Sequence, residues 1–175
     1  SFALDVKQLV RFRRRERDAG VGERMTKLTE IRALVPHSGM MVLLDRIISV
    51  DAESVCAEVR IRKDSLFYVD GGVGSWVGLE YIAQAIGAYA GYHAALRGEA
   101  VKIGFLLGTR CYECARPRFA LGSVIRVRAH RVLQTHDGLA SFDCSIDDES
   151  GRLGGASVTV YQPADAEEFF DGSTA

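Results

Sequence analysis

The sequence lacks several features that define whole classes of protein. Its four cysteines are too few and too scattered for a disulfide framework in a chain of 175 residues. The 22 basic and 23 acidic residues nearly cancel, which argues against nucleic acid as a general partner. No apolar run reaches the roughly 18 unbroken residues of a membrane span, and the start of the chain shows no secretory pattern. These absences favour a reduced, cytoplasmic protein.

The chain is long enough for one domain with a substantial core. Residues 1–30 are rich in charge and include a basic run at 11–15, so we expect a charged, solvated N-terminal extension there. Docking of this basic run on an acidic partner is the alternative. We expect the folded domain at residues 31–163 and an acidic C-terminal tail at 164–175.

A single carboxylate inside an apolar segment is the most informative feature. Residues 75–96 are rich in small and apolar side chains, and Glu80 and Gln84 are among the few polar ones. We predict a helix here, with Ser75 as its N-cap and Gly98 just after its end. Burying an ionised carboxylate is costly unless it is paired, hydrogen-bonded or protonated. Glu80 is therefore the first candidate for a functional residue.

The segments around this helix have the pattern of strands. Residues 55–61 alternate between apolar and polar side chains, as expected of a half-buried antiparallel strand. Similar patterns predict strands at 41–50, 101–110, 123–134, 139–146 and 151–161. One apolar helix and a set of antiparallel strands are best buried together by wrapping the sheet around the helix. The small residues Ala83, Gly87, Gly91 and Ala94 share a stripe that we expect to face the sheet. This α+β layout resembles the hotdog fold.

Three stretches of the chain resemble the β-hydroxyacyl-acyl-carrier-protein dehydratases. The first contains 35–37 and 41–47, the second is 78–85 with its acid and a glutamine four residues later, and the third is Arg-Pro at 116–117 with Gly122. Within that family the likeness is closest to the dehydratase-like proteins of aryl-polyene biosynthetic clusters. The segments 106–108 and 161–163 carry this narrower likeness.

The resemblance implies a mechanism. In that family a histidine before the helix removes a proton from C2 of the acyl thioester, and a helix carboxylate protonates the leaving hydroxyl. By position, Glu80 would be this acid and Gln84 would orient it, while the backbone N–H groups of Ser75, Trp76 and Val77 would bind the thioester carbonyl. No cofactor is implied, since the substrate is carried on the phosphopantetheine of an acyl carrier protein or on coenzyme A.

The expected histidine is absent. The matching region, residues 65–72, contains neither a histidine nor the prolines of the family motif. Three interpretations remain open. The chain forms a composite site in a heterodimer with a hotdog paralogue that carries the histidine, it is a homodimeric hotdog thioesterase that needs only the carboxylate, or it is a catalytically silent structural partner.

Other candidate residues have plainer interpretations. We expect a structural role for His37 and surface positions for His130 and His136, while His93 lies about 20 Å along the helix from Glu80. Cys111 and Cys114 have the spacing of a metal-binding pair, but no second pair follows, so we predict no metal site. We expect Asp70 in a turn. An outward row, Arg126, Arg128 and His130, together with Arg116 and Arg118, is a candidate surface for an acidic carrier protein or its phosphate.

Overall fold

A computed structural model describes residues 42–99 and 104–163 of the chain. The predictions made for residues 1–30, for the stretch 35–37 with His37, and for residues 164–175 lie outside these ranges. None of the helices in the described part is both long and apolar enough to cross a membrane.

The described residues form one long helix and nine strands. The helix α1 spans Gly78–Arg97 and follows directly on a 3-10 turn at Ser75–Val77. The strands are β1 Arg46–Val50, β2 Ser54–Arg60, β3 Tyr68–Val69, β4 Gly72–Gly74, β5 Phe105–Cys114, β6 Arg118–Ala120, β7 Val124–Gln134, β8 Leu139–Asp148 and β9 Gly151–Tyr161.

The main sheet wraps around the helix, as predicted. It has six antiparallel strands in the order β1-β2-β7-β8-β9-β5, and α1 packs mainly on β2 and β7. On β7 the predicted alternation is present: Ile125, Val127 and Ala129 are fully buried, while the three basic residues between and after them are exposed. This arrangement is the hotdog fold.

Three short strands were not predicted. β3, β4 and β6 form a separate small sheet beside the start of the helix. They are two or three residues long, too short for a pattern of alternating side chains to appear in the sequence. Gly72 permits the pairing of β4 with β6, because a Cβ atom there would approach the Phe119 carbonyl oxygen closer than 3.0 Å.

The sequence predicted the end of α1 correctly but not its start. Gly98 ends the helix as expected, with φ of 72° in the left-handed region. Ser75 is not an N-cap, because neither the 3-10 turn nor α1 has a side-chain cap hydrogen bond. The chain instead enters the helix through the 3-10 turn, and Val77 occupies the N-cap position of α1.

The glycine stripe of α1 does not face the sheet as a whole. A Cβ atom at Gly87 would meet no atom within 4 Å, so Gly87 borders open space in this chain. The close approach occurs instead at Gly78, where a Cβ atom would come closer than 3.0 Å to Tyr112 and Ile146. The sheet curves around the helix start, and the prediction for Gly87 was wrong.

Several strands differ in extent from their predictions. β1 begins at Arg46, and the described residues before it, 42–45, lie outside the strand, with the Leu43 N–H bonded to the side chain of Gln84. β8 continues two residues past its predicted end, to Asp148. β5 continues to Cys114 past the predicted end at residue 110.

Candidate functional site

Glu80 and Gln84 are joined by a hydrogen bond, as predicted. Glu80 is half-buried in the first turn of α1, and Gln84 lies one turn later with only 6 % of its surface exposed. Gln84 Nε2 donates to Glu80 Oε1 over 3.0 Å, and the Leu43 N–H donates to Gln84 Oε1 over 2.9 Å. Because a backbone N–H can only donate, Leu43 fixes which way the Gln84 amide points. The chain therefore presents one orientation of the carboxylate.

The start of the helix is held by the end of β5 and by the connection that follows it. The Ser75 N–H donates to the Pro117 carbonyl oxygen over 3.0 Å. The Tyr112 hydroxyl donates to the Ser75 carbonyl oxygen. Since its N–H is engaged with Pro117, Ser75 does not offer that group to a ligand in this conformation, which corrects the prediction for Ser75. Trp76 and Val77 follow it in the 3-10 turn, with Trp76 65 % exposed and Val77 fully buried.

The loop that precedes the helix is anchored by Arg118. Its guanidinium donates to the carbonyl oxygens of Val69 and Asp70 over 3.0 and 2.9 Å. Asp70 lies in the turn between β3 and β4, as expected, with φ of 48°. Phe67, in the same loop, also has a positive φ, of 66°. Two residues in the left-handed region need such support, because side chains other than glycine adopt it rarely.

A cavity of about 190 Å³ lies beside this site. Leu43 and Tyr81, neighbours of Gln84 and Glu80 in space and in sequence, contribute to its wall, and Leu66 from the loop closes another side. Tyr81 is itself buried and stacks on Phe119, with 6.0 Å between the ring centroids. Glu80 and Gln84 do not line this cavity, and its wall also includes the charged residues Arg60, Arg62 and Asp64.

Two of the three histidines among the described residues are hydrogen-bonded away from Glu80. His93 Nε2 lies 2.8 Å from the Asp51 carbonyl oxygen, near the other end of α1. His130 Nδ1 lies 3.0 Å from Ser54 Oγ on the outer face of the sheet. His136 is exposed in the turn between β7 and β8, as predicted. None of the three is paired with Glu80, so the described residues present an acid without a histidine base.

The predicted basic row is largely neutralised. Arg126 lies 3.9 Å from a carboxylate oxygen of Glu58, and Arg128 lies 2.8 Å from one of Asp147. These side chains project from the face of β7 opposite to the one that packs on the helix. The row is therefore not a single basic patch near Glu80.

Arg116 lies closer to the site through its neighbour Pro117. Its guanidinium bonds to Asp148 over 3.1 Å and to the Ser150 hydroxyl over 3.0 Å, in the turn between β8 and β9. The Ser150 hydroxyl, its N–H and Arg116 all stabilise the ionised carboxylate and outweigh the effect of burial, so they hold the pKa of Asp148 below its usual value.

The cysteines form no metal site among the described residues, where no group of three or more potential ligands is arranged for one. All four thiols are free. Cys144 is 5 % exposed, and burial raises the pKa of its thiol to about 12.

Two contributors to the site were missed by the sequence reasoning. The Leu43 N–H and the Tyr112 hydroxyl are 41 and 37 residues away from their partners. A backbone donor has no signature in sequence, and Tyr112 sits in a Cys-Tyr-Glu-Cys segment whose cysteines suggest a different role. Only the folded chain brings these groups to the helix start.

Comparison with known proteins agrees with the fold and with the predicted resemblance. A family model described as ApeP-like, ApeP dehydratase, matches residues 29–171. One chain of the dehydratase heterocomplex ApeI:P from Xenorhabdus doucetiae is 32 % identical, with 80 % of this chain and 94 % of that chain covered and a TM-score of 0.73. A search of curated proteins finds no match.

More distant structures share the fold alone. A hypothetical thioesterase from Streptococcus pneumoniae TIGR4, solved with coenzyme A, is 14 % identical with a TM-score of 0.54, covering 66 % of this chain and 83 % of its own. The E. coli PaaI protein of the phenylacetic acid degradation operon is 13 % identical with a TM-score of 0.52, covering 66 % and 77 %. The family match over residues 29–171 and the 32 % identity to a chain of ApeI:P decide the family. This chain belongs to the ApeP-like dehydratase family.

Proposed function

We propose that this chain is the acid-bearing subunit of a heteromeric dehydratase that acts on β-hydroxyacyl thioesters. The observation that carries the proposal is the connected set of Leu43, Gln84 and Glu80, which orients one carboxyl group at the start of the central helix. Among the described residues no histidine accompanies it.

In this proposal Glu80 is the general acid. Glu80 Oε1 accepts the hydrogen bond of Gln84, so a proton on the carboxyl group would be carried by Oε2. A base removes the proton from C2 of the substrate, the electron pair forms the C2=C3 double bond, and the C3–O bond breaks. Oε2 gives its proton to the departing hydroxyl group, which leaves as water. The base then holds the C2 proton, and its return to Glu80 restores the acid.

The thioester carbonyl would bind at the N-terminal end of the helix. Enolate character develops on this oxygen as the C2 proton leaves, and backbone N–H groups with the helix dipole stabilise such negative charge. Trp76 and Val77 lie in the 3-10 turn that leads into α1. Of the three residues predicted for this role, these two remain its candidates.

The missing base would come from a second hotdog subunit. The dehydratase heterocomplex ApeI:P, of which one chain is 32 % identical to this one, is an assembly of two different proteins. In this chain β5 is an edge of the main sheet, with Leu106 and Leu107 45 % and 57 % exposed. An exposed edge strand with apolar side chains favours pairing with another chain. A heterodimer with a histidine-bearing paralogue is therefore our preferred assembly, with a homodimer as the alternative.

The substrate would be delivered by an acyl carrier protein. Arg116 and Arg118 flank Pro117, which is bonded to Ser75 at the helix start. Their side chains keep 51 % and 46 % of their surface exposed while bound to Asp148 and Asp70. Guanidinium groups at this position suit the phosphate of a pantetheine arm or an acidic helix of its carrier. Coenzyme A would present related phosphates, and the free thiols suit a reducing compartment such as the cytoplasm.

The test is dehydration of a β-hydroxyacyl-carrier thioester by the chain reconstituted with its histidine-bearing partner. Glu80→Gln keeps the size of the side chain and the hydrogen bond from Gln84, but removes the acidic proton. We expect kcat to fall by about 10²–10⁴, the usual contribution of a general acid. Glu53→Gln, at an exposed residue of the turn between β1 and β2, is the matched control and should leave the rate unchanged.

Two results would reject parts of the proposal. An unchanged rate with Glu80→Gln would make the chain a structural partner only. Release of free thiol from an acyl thioester by this chain alone, abolished by Glu80→Gln, would identify a thioesterase, in which the same carboxylate activates water. We expect no such release, because a dehydratase leaves the thioester bond intact.

A further inference from the structure

Both backbone groups of Ser75 are held by one segment of the chain. The Ser75 N–H donates to the Pro117 carbonyl oxygen, and the Ser75 carbonyl oxygen accepts from the Tyr112 hydroxyl. Residues 112–117 comprise the end of β5 and the connection to β6, and β6 pairs with β4 directly before the 3-10 turn. The peptide units on either side of Ser75 are therefore both bonded from outside the helix, and the Ser75 carbonyl oxygen also accepts the Gly78 N–H within the 3-10 turn.

The second of these peptide units also contains the Trp76 N–H. In a trans peptide the carbonyl and the N–H point in opposite directions, and the structure contains no cis peptide bond among its described residues. By directing the Ser75 carbonyl toward Tyr112, the hydrogen bond turns the Trp76 N–H toward the other side. A rotated peptide would instead present a carbonyl oxygen, which repels a developing oxyanion.

The backbone of β5 is shaped so that Tyr112 reaches this carbonyl. Arg110 pairs with Ser157 and Glu113 with Gly155, so three steps along β5 match two along β9. The extra residue is a β-bulge, and Cys111 within it has φ of 51°. Bulges re-aim side chains and are frequent beside active sites.

Gly78 provides the space for the Tyr112 hydroxyl. A Cβ atom at Gly78 would come closer than 3.0 Å to Tyr112 Oη and to Ile146 Cδ1. The first residue of α1 is thus a glycine at the point where the tyrosine hydroxyl packs against the helix.

We propose that Tyr112 is a positioning residue that, together with the Gly78 N–H, holds the orientation of the Ser75–Trp76 peptide, and through it the N–H that receives the thioester carbonyl. The inference rests on the proposed dehydratase function and names a determinant of its carbonyl-binding site. Tyr112 acts through the backbone and does not touch the reacting atoms.

The hydroxyl remains a donor across the working pH range. Burial raises the pKa of Tyr112 to about 12, with a smaller contribution from Cys114. The contact does not depend on this value, since the hydroxyl faces a carbonyl oxygen that can only accept.

The single tryptophan of the chain gives a direct readout of this peptide. Labelling with ¹⁵N-tryptophan yields one backbone amide signal, from Trp76, and one indole signal. Tyr112→Phe removes the hydroxyl and keeps the ring. Tyr89→Phe is the matched control, because the Tyr89 hydroxyl donates to the Ala52 carbonyl oxygen over 2.7 Å, about 16 Å further along the same helix.

We expect Tyr112→Phe to move the Trp76 amide signal and to lower kcat of the reconstituted complex about tenfold, with KM within about twofold. This is a fraction of the 10²–10³ lost when a donor to an oxyanion is removed outright. Tyr89→Phe should change neither. Gly78→Ala, which displaces the hydroxyl by steric contact, should move the same amide signal and serves if Tyr112→Phe does not fold.

The outcomes separate this inference from the proposed function. An unmoved Trp76 amide in Tyr112→Phe overturns the inference, and so does a moved amide with an unchanged kcat. An equal loss of kcat in Tyr89→Phe would show that the loss in Tyr112→Phe reflects lower stability of the protein, and would also overturn the inference. If the wild-type complex dehydrates no substrate, the proposed function fails, while the amide signal still decides whether Tyr112 orients the peptide.

Discussion

We predict that Gln84 stabilises the fold as well as the position of the Glu80 carboxyl group. Gln84→Met tests this prediction, because it removes the hydrogen bonds of the side chain and largely keeps its packing. Methionine has nearly the volume of glutamine, so the change leaves little cavity. It removes the bond from the Leu43 N–H and the bond to Glu80. Leaving a buried donor unsatisfied costs about 1–3 kcal/mol, and a further side-chain hydrogen bond contributes about 0.5–1.5 kcal/mol.

We therefore expect the free energy of unfolding to fall by about 3 kcal/mol, allowing for partial access of water to Leu43 and Glu80. This is a large share of the 5–15 kcal/mol typical of a domain. The melting temperature should fall by about 6–12 °C, at about 2–4 °C per kcal/mol for a protein of this size. Urea unfolding measures the change directly, and an unchanged m-value would show that the denatured state is the same.

The matched control is Gln134→Met. Gln134 is exposed at the end of β7, where its side chain accepts a bond from Arg131 over 2.5 Å. This control should change the stability by less than about 0.5 kcal/mol. If Gln84→Met costs no more than Gln134→Met, the link between Leu43, Gln84 and Glu80 does not stabilise the protein.

Gln84→Glu distinguishes the two bonds. The new carboxylate keeps an acceptor for Leu43 but loses the donor to Glu80, and it places two acids one turn apart. Like charges at this spacing are destabilising. We expect its stability deficit against the wild type to grow as the pH rises and both acids ionise. A deficit independent of pH would contradict this reasoning.

Two further predictions concern residues outside the site. The lowered pKa of Asp148 means that its contribution to stability is present above the unfolded value, about 3.9, and is lost as the pH falls through the lower folded value. Asp148→Asn should therefore cost about 1–2 kcal/mol at pH 7 in urea unfolding, and a deficit that does not shrink on acidification would refute the assignment. Cys111 is exposed, whereas Cys144 is buried and its thiol has a pKa of about 12. A thiol reagent at pH 8 should therefore react in a fast phase that Cys111→Ser removes and Cys144→Ser leaves unchanged. Rapid reaction of Cys144 in the native protein would contradict this prediction.

The strands with clear periodicity were predictable. β9 has the bounds expected from the sequence, and β7 starts only one residue later than expected. Such strands bury one face, and burial leaves alternating apolar residues in the sequence. β3, β4 and β6 gave no such signal, because a strand of two or three residues is specified by its neighbours rather than by its own pattern.

The acid of the site was also predictable, but its surroundings were not. Glu80 stands out because a carboxylate is unusual in an apolar helix, and Gln84 follows at the spacing that brings two side chains onto one face. The spacing alone could not show that Leu43 orients the Gln84 amide. It also predicted Ser75 as a cap, whereas the backbone of Ser75 is held by Tyr112 and Pro117.

The sequence by itself determined which groups are available: one carboxylate with its glutamine on a helix, strands able to enclose that helix, and no histidine in residues 65–72 before it. These properties are local, since they depend on residue type and on spacing within a single element. The tertiary structure decided how the groups are aimed. Leu43, Tyr112, Pro117 and Arg118 reach the helix start across 37 to 49 residues of chain. Such long-range hydrogen bonds form only once the sheet has closed around the helix, so no local pattern of residues encodes them.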